Sequence, residues 1–238
     1  MTTALFAIIL MLVNIIQAIT GFAGAPLAMP LCIALVGISD AKASITLIFL
    51  LSSAVVTFSN LKYIAWKKLA VMILLMIIGI IPGLWLYDKL PIKALMIIYA
   101  VIVILIGIWK LLARNSGDLK KPWTYVTLIM AGIMQGMFTS GGPFVALYAS
   151  SEIKEKKIFR ATVSSVWTIL NIYLCWNMYR QGMYTENACQ LTLWSLLPVA
   201  AGIVMGSLIN RKIKQTTFLK LVYVLLILSG GTLLFNAF

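Results

Sequence analysis

Two short runs of residues have the composition of a ligand-binding site: residues 20–26 (TGFAGAP) and residues 138–143 (FTSGGP). Each run interrupts a long apolar stretch with glycine, hydroxyl side chains and a proline. Glycine permits unusual backbone angles, and proline suits the first turn of a helix. We therefore expect each run to contain the end of one helix, a few unwound residues and the start of a second, short helix.

The start of a helix can bind an anion, because its first N–H groups lack partners within the helix and the helix dipole adds about half a positive charge. Two such starts, at Pro26 and Pro143, match a small oxyanion or sulfonate as substrate. Gln17 and Gln135 serve either this site or helix packing, since buried amides do both in membranes. The predicted substrate site consists of Gln17, Thr20, Gly21, Gly24, Ala25, Pro26, Gln135, Thr139, Ser140, Gly141, Gly142, Pro143 and Asn171.

The residues on which most enzymes rely are missing from the membrane tracts. The chain has no histidine, its three cysteines have no CxxC spacing, and its six acidic residues all lie in loops or at the ends of apolar tracts. Ser-His-Asp catalysis, histidine metal sites and a carboxylate proton relay in the membrane therefore have no candidate residues. We predict no catalytic residue, no metal and no cofactor, and a protein that is not an enzyme.

The composition requires lipid as the solvent. Of the 238 residues, 62% are apolar and 11% are charged, whereas soluble domains have roughly 45–50% and about 25%. About 20 consecutive apolar residues cross a bilayer as a helix. We predict an all-α polytopic protein of the cell membrane, with the lipid bilayer as a partner. Its apolar tracts are residues 4–37, 43–61, 69–87, 94–109, 123–151, 161–179, 188–209 and 216–238.

The net charge of +13 reflects membrane topology and not nucleic-acid binding. The 19 Lys and Arg residues lie mostly in short loops between apolar tracts, where the positive-inside rule places them. Assigning the more basic loops to the cytoplasm requires tract 123–151 to enter and leave on the same side. Tract 4–37 must then do the same from the other side, so both tracts are predicted to be broken hairpins.

The chain contains two copies of one unit, at residues 1–113 and 119–238, joined by the polar linker 114–121. Matched pairs recur at offsets of 117 to 123 residues: Gly24 with Gly141, Pro26 with Pro143, Lys42 with Arg160, Gly79 with Gly202, and Gly83 with Gly206. Each half is predicted to have one hairpin broken by Gly and Pro and three transmembrane helices. The odd number of crossings inverts the second half relative to the first and gives eight to ten membrane segments in all. The glycines at 79, 83, 202 and 206 have the spacing of helix-packing positions.

Residues 136–143 (GMFTSGGP), the matching run at 20–26 and the two-fold repeat resemble the TauE/SafE sulfite exporter family of membrane permeases. The resemblance covers essentially the whole chain, although Ala25 stands where a second glycine is usual. It implies transport of sulfite, sulfonates or related sulfur-containing anions, usually as export.

Paired Gly/Pro-interrupted segments in inverted halves are typical of the binding site of a secondary transporter. We predict alternating access, one half moving against the other around a small anion held at the two helix starts. An anion channel of the same architecture, a membrane enzyme with a serine or tyrosine nucleophile, and a non-transporting membrane subunit remain alternatives. A homo-oligomer is also compatible with the sequence.

Overall fold

A computed structural model describes residues 2–112, 121–153 and 155–209, and isolated residues between 224 and 235. Throughout this part of the chain, every regular element is helical, which confirms the predicted all-α fold class. The predicted linker 114–121, apart from Lys121, and most of the last tract, 216–238, lie outside the described residues.

The described helices follow the same order in both halves: a long helix, a break, a short helix, and then long helices. The first half contains α1 (Thr2–Thr20), α2 (Gly24–Val36), α3 (Ile38–Ser59), a 3-10 turn (Leu61–Tyr63), α4 (Trp66–Lys89) and α5 (Ile92–Leu112). The second half contains α6 (Lys121–Phe138), α7 (Gly142–Glu152), α8 (Lys156–Arg180) and α9 (Glu186–Ile209).

The two breaks fall where the glycines and prolines predicted them. The residue directly after each long helix has a positive φ, 83° at Gly21 and 54° at Thr139, so the chain cannot continue as a right-handed helix there. The short helices α2 and α7 have 13 and 11 residues, or about 20 and 16 Å at 1.5 Å per residue. Neither is long enough to cross a hydrocarbon core of about 30 Å by itself.

The outer surface of the helices is suited to lipid. Five described helices, α1, α3, α4, α8 and α9, are long and apolar enough to cross a membrane. Leucine and isoleucine side chains are exposed along the helices, as are five tryptophans near the ends of the apolar tracts: Trp66, Trp85, Trp109, Trp123 and Trp194. The chain is therefore a multi-pass membrane protein.

In each half, the long helix before the break packs on a helix of the other half. Helix α1 of the first half packs on α9 of the second, and the corresponding helix α6 packs on α4. The central pair, α3 and α8, pack on each other, and each also contacts the short helix of its own half. Because the main helix pairs of one half have counterparts in the other, the two breaks come together at the centre. The inversion of the second half and the boundaries of the two repeats stay predictions.

Glycines allow α4 and α6, and likewise α9 and α1, to approach each other closely. A Cβ added at Gly79 or Gly83 in α4 would overlap backbone atoms of α6, and one added at Gly202 or Gly206 in α9 would overlap backbone carbonyls of α1. The packing role predicted for these four glycines is confirmed.

Candidate functional site

The two breaks meet around a small central cavity. The α-carbon of Gly142 lies so close to the Phe22 carbonyl that an added Cβ would overlap it. Helices α3 and α8 contribute one aromatic side chain each, Phe49 and Trp167. The cavity is lined by Gln17, Phe22, Ala25, Phe49, Gln135, Thr139, Gly142, Trp167 and Asn171. It thus brings together six residues of the predicted site, two from the first half and four from the second: Gln17, Ala25, Gln135, Thr139, Gly142 and Asn171.

The two glutamines cap the two breaks in the same way. The Oε1 atom of Gln17 accepts a hydrogen bond from the Gly24 backbone N–H at 2.9 Å, and Oε1 of Gln135 accepts one from the Gly141 N–H at 3.0 Å. The prediction that these N–H groups are free was therefore wrong for Gly24 and Gly141. A neutral amide oxygen occupies the position that was predicted for an anion oxygen, because each glutamine lies one turn before the break and its side chain reaches across it.

The remaining hydrogen bonds of the first break come mainly from its own hairpin. Gln17 Nε2 donates to the Gly21 carbonyl at 3.2 Å. The Thr20 hydroxyl accepts from the Ala23 N–H at 3.2 Å and donates to the Ile16 carbonyl at 2.9 Å. Thr20 therefore belongs to the frame of the break and not to the cavity wall.

Two polar contacts come from the central helices. Trp167 Nε1, in α8, donates to the Gly21 carbonyl at 2.9 Å, and the Thr46 hydroxyl, in α3, lies 2.8 Å from that of Thr139. In addition, Gln135 Nε2 donates to Asn171 Oδ1 at 2.8 Å. The site predicted from the sequence did not include Thr46, Phe49 or Trp167. The signal was available for Phe49 and Trp167, since they are aromatic residues separated by the repeat offset of 118.

The other predicted site residues are buried around the cavity without lining it. They are Thr20, Gly21, Gly24, Pro26, Ser140, Gly141 and Pro143. The α-carbon of Gly141 packs against the backbone of α6, since an added Cβ would overlap the Ala131 carbonyl. These residues shape the breaks and the starts of α2 and α7.

The central cavity is closed in this structure. The space open to the centre of a water molecule is about 10 Å³, which is about the room that one water needs. A sulfite or sulfonate would require the glutamine or aromatic side chains to move apart. The structure therefore corresponds to a state in which the site is collapsed on itself.

A much larger cavity opens near one end of α3 and α8. It has a volume of about 590 Å³ and is lined by Val55, Val56, Ser59, Asn60, Tyr63, Lys156, Lys157, Arg160, Ile203 and Ser207. We call it the basic vestibule. A third, small cavity shares Val56 and Ile203 with the vestibule and Gln17 with the central cavity. The third cavity therefore lies between the basic vestibule and the central cavity.

Comparison with known proteins gives the family. Residues 6–233 match the family described as Sulfite exporter TauE/SafE. The chain belongs to the TauE/SafE family. It is 25% identical over 179 residues to the "Probable inner membrane transporter protein TsaS" of Comamonas testosteroni, covering 73% of this chain and 74% of that protein. No solved structure matches the chain. This TauE/SafE protein is thus a membrane transporter and not an enzyme.

Arg160 connects the basic vestibule of this TauE/SafE protein to the first break. Its guanidinium donates to the Ser207 hydroxyl at 3.3 Å, while its buried Nε has no hydrogen-bond partner among the described residues. Its α-carbon would lie 3.8 Å from a Cβ at Gly21. From the sequence, the loop of Arg160 was predicted to serve topology alone, whereas the structure places the arginine in the wall of the basic vestibule and beside the first break.

Proposed function

We propose that this TauE/SafE transporter exports small sulfur-containing oxyanions, sulfite or organosulfonates, across the inner membrane of the cell. The observation that carries the proposal is the pair of short-helix starts at the central cavity, each capped by a neutral amide oxygen. The oxygens of an anion can replace those of Gln17 and Gln135 as acceptors for the Gly24 and Gly141 N–H groups. A sulfonate or sulfite has several acceptor oxygens, so one anion can satisfy both helix starts.

Binding requires the glutamine side chains to exchange partners. Each amide moves off its helix start, and the site widens as α3 and α8 separate. The exposed N–H groups and the partial positive charges of two helices then act on the same ligand. Thr139 and the neighbouring amides supply further hydrogen bonds.

The basic vestibule supplies the anion to this site. Lys156, Lys157 and Arg160 line it together, and a cleft lined by one sign of charge concentrates ligands of the opposite sign. If the loop charges follow the positive-inside rule, this vestibule faces the cytoplasm, which is the side from which an exporter takes its substrate.

The membrane potential is the simplest driving force. The residues that line the central cavity include no Asp, Glu, Lys or Arg, so a bound anion keeps its charge during transport. An inside-negative potential favours the exit of one negative charge by about 2.3 kcal/mol per 100 mV. Alternating access of the two halves around the central cavity completes the cycle.

Counterflow of radiolabelled methanesulfonate in proteoliposomes tests this function. Sulfonates stay charged throughout the physiological range, whereas sulfite itself titrates near neutrality. We expect saturable counterflow that sulfite and other sulfonates compete with. We also expect net flux that follows an imposed potential.

Three results would contradict the proposal. Competition by carboxylates as strong as that by sulfonates would overturn the substrate class. Flux that does not saturate would indicate a channel. A steep pH dependence without response to voltage would indicate proton coupling, and Glu152 and Glu155, at the end of α7 and before α8, would be the first residues to replace.

A further inference from the structure

Lys42 occupies the position in the first half that Arg160 occupies in the second. Helices α3 and α8 begin at Ile38 and Lys156, so Lys42 and Arg160 are each the fifth residue of their helix. Arg160 lines the open basic vestibule, whereas the Lys42 side chain is only 1% exposed. A basic side chain at the same helix position is therefore accessible at one end of the protein, as Arg160, and buried at the other, as Lys42.

The two cations lie at opposite ends of α3 and α8. The vestibule is lined by Ser59 and Asn60 at the C-terminal end of α3. Lys42 lies 17 residues before Ser59, or about 25 Å along the helix axis. An opening at Lys42 would thus lie on the other side of the membrane from the basic vestibule.

An aromatic ring covers the Lys42 ammonium. Its Nζ lies 3.3 Å from the centroid of the Tyr87 ring, at the end of α4, and the adjacent Asp88 acts on it electrostatically. A cation–π contact satisfies an ammonium that has lost its water, yet it can be exchanged for an anion when the site is hydrated.

The region around Lys42 corresponds to the vestibule but is filled by packed side chains. The counterparts of Val56, Asn60 and Ile203, by the offsets of 118 and 123, are Leu174, Met178 and Ile80, which are fully buried. The counterpart of Ser59 is Asn177, whose Oδ1 atom is buried and has no partner among the described residues. A buried acceptor without a partner is costly, and it would be hydrated if this end opened.

Hydrogen bonds hold this end closed. The Asp40 carboxylate, in the first turn of α3, accepts hydrogen bonds from Thr185 and Asn187, which lie at the start of α9. The residue that corresponds to Asp40 in the second half is Ile158, which cannot form such bonds. Among the described residues, the Asp40 contacts have no match at residue 158, whereas the hydrogen bond of Ser44 to the Ala188 carbonyl has a counterpart in that of the Ala65 N–H to Thr162. The Asp40 contacts are therefore an asymmetric latch.

We propose that Lys42 is the anion-binding cation of a second vestibule, closed in this structure, which opens on the opposite side of the membrane when the basic vestibule closes. Its ligand is the same class of small oxyanion, and the inference rests on the proposed anion transport. In the alternate state, the Lys42 ammonium leaves the Tyr87 ring and meets the anion as it departs, as Arg160 meets it on arrival.

Thiol labelling tests whether this second vestibule opens. In a protein without its native cysteines, Met178→Cys is compared with Asn60→Cys, its counterpart in the basic vestibule, by using a membrane-impermeant maleimide on either side. We expect Asn60→Cys to react from one side and Met178→Cys only from the other. Asp40→Ala, which removes the latch, should accelerate labelling of Met178→Cys and slow that of Asn60→Cys. No reaction of Met178→Cys with Asp40→Ala, or reaction from the same side as Asn60→Cys, would overturn the proposal.

Flux measurements test the role of the cation. Lys42→Gln should raise the half-saturating methanesulfonate concentration by about tenfold or more on the Met178 side only, as expected when a charged hydrogen-bond partner is lost. Arg160→Gln should have this effect on the opposite side, and Lys42→Arg should retain most of the affinity. A purely structural lysine would change thermal stability and leave the two sides equal.

The outcomes separate this inference from the proposed function. If the unmodified protein transports methanesulfonate and folded Lys42→Gln keeps the same affinity on both sides, the role of Lys42 is wrong while anion transport stands. If the unmodified protein transports neither sulfonate nor sulfite, the proposed function fails, and the anion role of Lys42 fails with it even where the labelling alternates.

Discussion

The two breaks perform the same structural task with different residues. Each places the residue after a long helix in the left-handed region, and each caps a short-helix start with a glutamine. In the first break this residue is Gly21, which adopts a positive φ without strain. In the second break it is Thr139, and a β-branched residue at φ 54° is strained.

The supports of the two breaks differ accordingly. Gln17 returns its amide N–H to Gly21 within the same hairpin, whereas Gln135 donates to Asn171 in α8, and Thr139 contacts Thr46 in α3. The second break is thus held in a strained conformation by helices outside its own hairpin. Because α3 and α8 separate to admit a substrate in the proposed mechanism, we expect the second break to respond most to that movement.

Replacing the glycine at each capped helix start by alanine should give the largest difference between the two breaks. A Cβ at Gly141 overlaps the Ala131 backbone carbonyl, which cannot move without shifting α6 against α7. A Cβ at Gly24 lies 2.6 Å from the Phe49 ring and 2.7 Å from Gln17 Cβ, both on side chains that line the cavity. We expect Gly141→Ala to prevent recovery of folded protein in detergent, since overpacking against backbone costs about 3 kcal/mol or more. We expect Gly24→Ala to fold but to lose transport.

Size-exclusion chromatography, thermal unfolding and methanesulfonate counterflow measure these effects. Gly231→Ala is the control, because no atom of the described residues lies within 4 Å of the added Cβ. If Gly141→Ala is as stable as Gly24→Ala, the tight approach of α6 and α7 does not matter to the fold.

Replacing a capping glutamine by glutamate should have the next largest effect. A carboxylate at a helix start is favourable by about 0.3–1 kcal/mol, so Gln17→Glu and Gln135→Glu should fold. A fixed negative charge about 4 Å from a bound anion opposes it by about 4 kcal/mol at an effective dielectric constant of 20. We expect each variant to lower methanesulfonate affinity by about a hundredfold or more.

Equilibrium binding and counterflow of methanesulfonate provide the measurement. Gln190→Glu, in an exposed part of α9, is the control and should bind as the unmodified protein does. Unchanged affinity in both Gln17→Glu and Gln135→Glu would place the substrate away from the two helix starts.

The sequence was sufficient for the breaks but not for how they are held. Glycine and proline act on their own backbone, so the ends of α1 and α6 and the starts of α2 and α7 could be predicted from their positions. The capping of Gly24 by Gln17 depends on a side chain that reaches back across the break, which no local pattern encodes.

The contributions of α3 and α8 depend on packing between the two halves. Thr46, Phe49 and Trp167 enter the site because these helices cross beside the breaks, and their own sequences resemble ordinary apolar helices. The basic vestibule was missed for a different reason. Its cations fit the positive-inside rule, and a sufficient topological explanation left no signal for a second role.

The strain at Thr139 can be measured by placing a side chain at position 21, where the first break has glycine, and a glycine at position 139. At Gly21 the nearest atoms to an added Cβ are 3.8 Å away, so Gly21→Ala introduces strain without a clash and should cost about 1 kcal/mol. Thr139→Gly and Thr139→Val both remove the hydroxyl that contacts Thr46, but only the glycine relieves the strain. We expect Thr139→Gly to be more stable than Thr139→Val by about 1 kcal/mol in denaturant unfolding. Equal stability of the two variants would mean that Thr139 is not strained.

Trp167→Phe should have the smallest effect. It removes the indole N–H by which α8 donates a hydrogen bond to the first break. Phenylalanine keeps an aromatic ring against the cavity but cannot donate to the Gly21 carbonyl, a hydrogen bond of 2.9 Å. Losing one neutral hydrogen bond costs about 0.5–1.5 kcal/mol, so unfolding should shift by that amount and counterflow should fall by less than about tenfold. Trp194→Phe, at an exposed position, should change neither. Because the first break keeps its glutamine and Thr20 contacts, it should tolerate this loss. A fall in transport as large as that of Gln17→Glu would show instead that Trp167 binds the substrate directly, and the first break would then depend on α8 as much as the second.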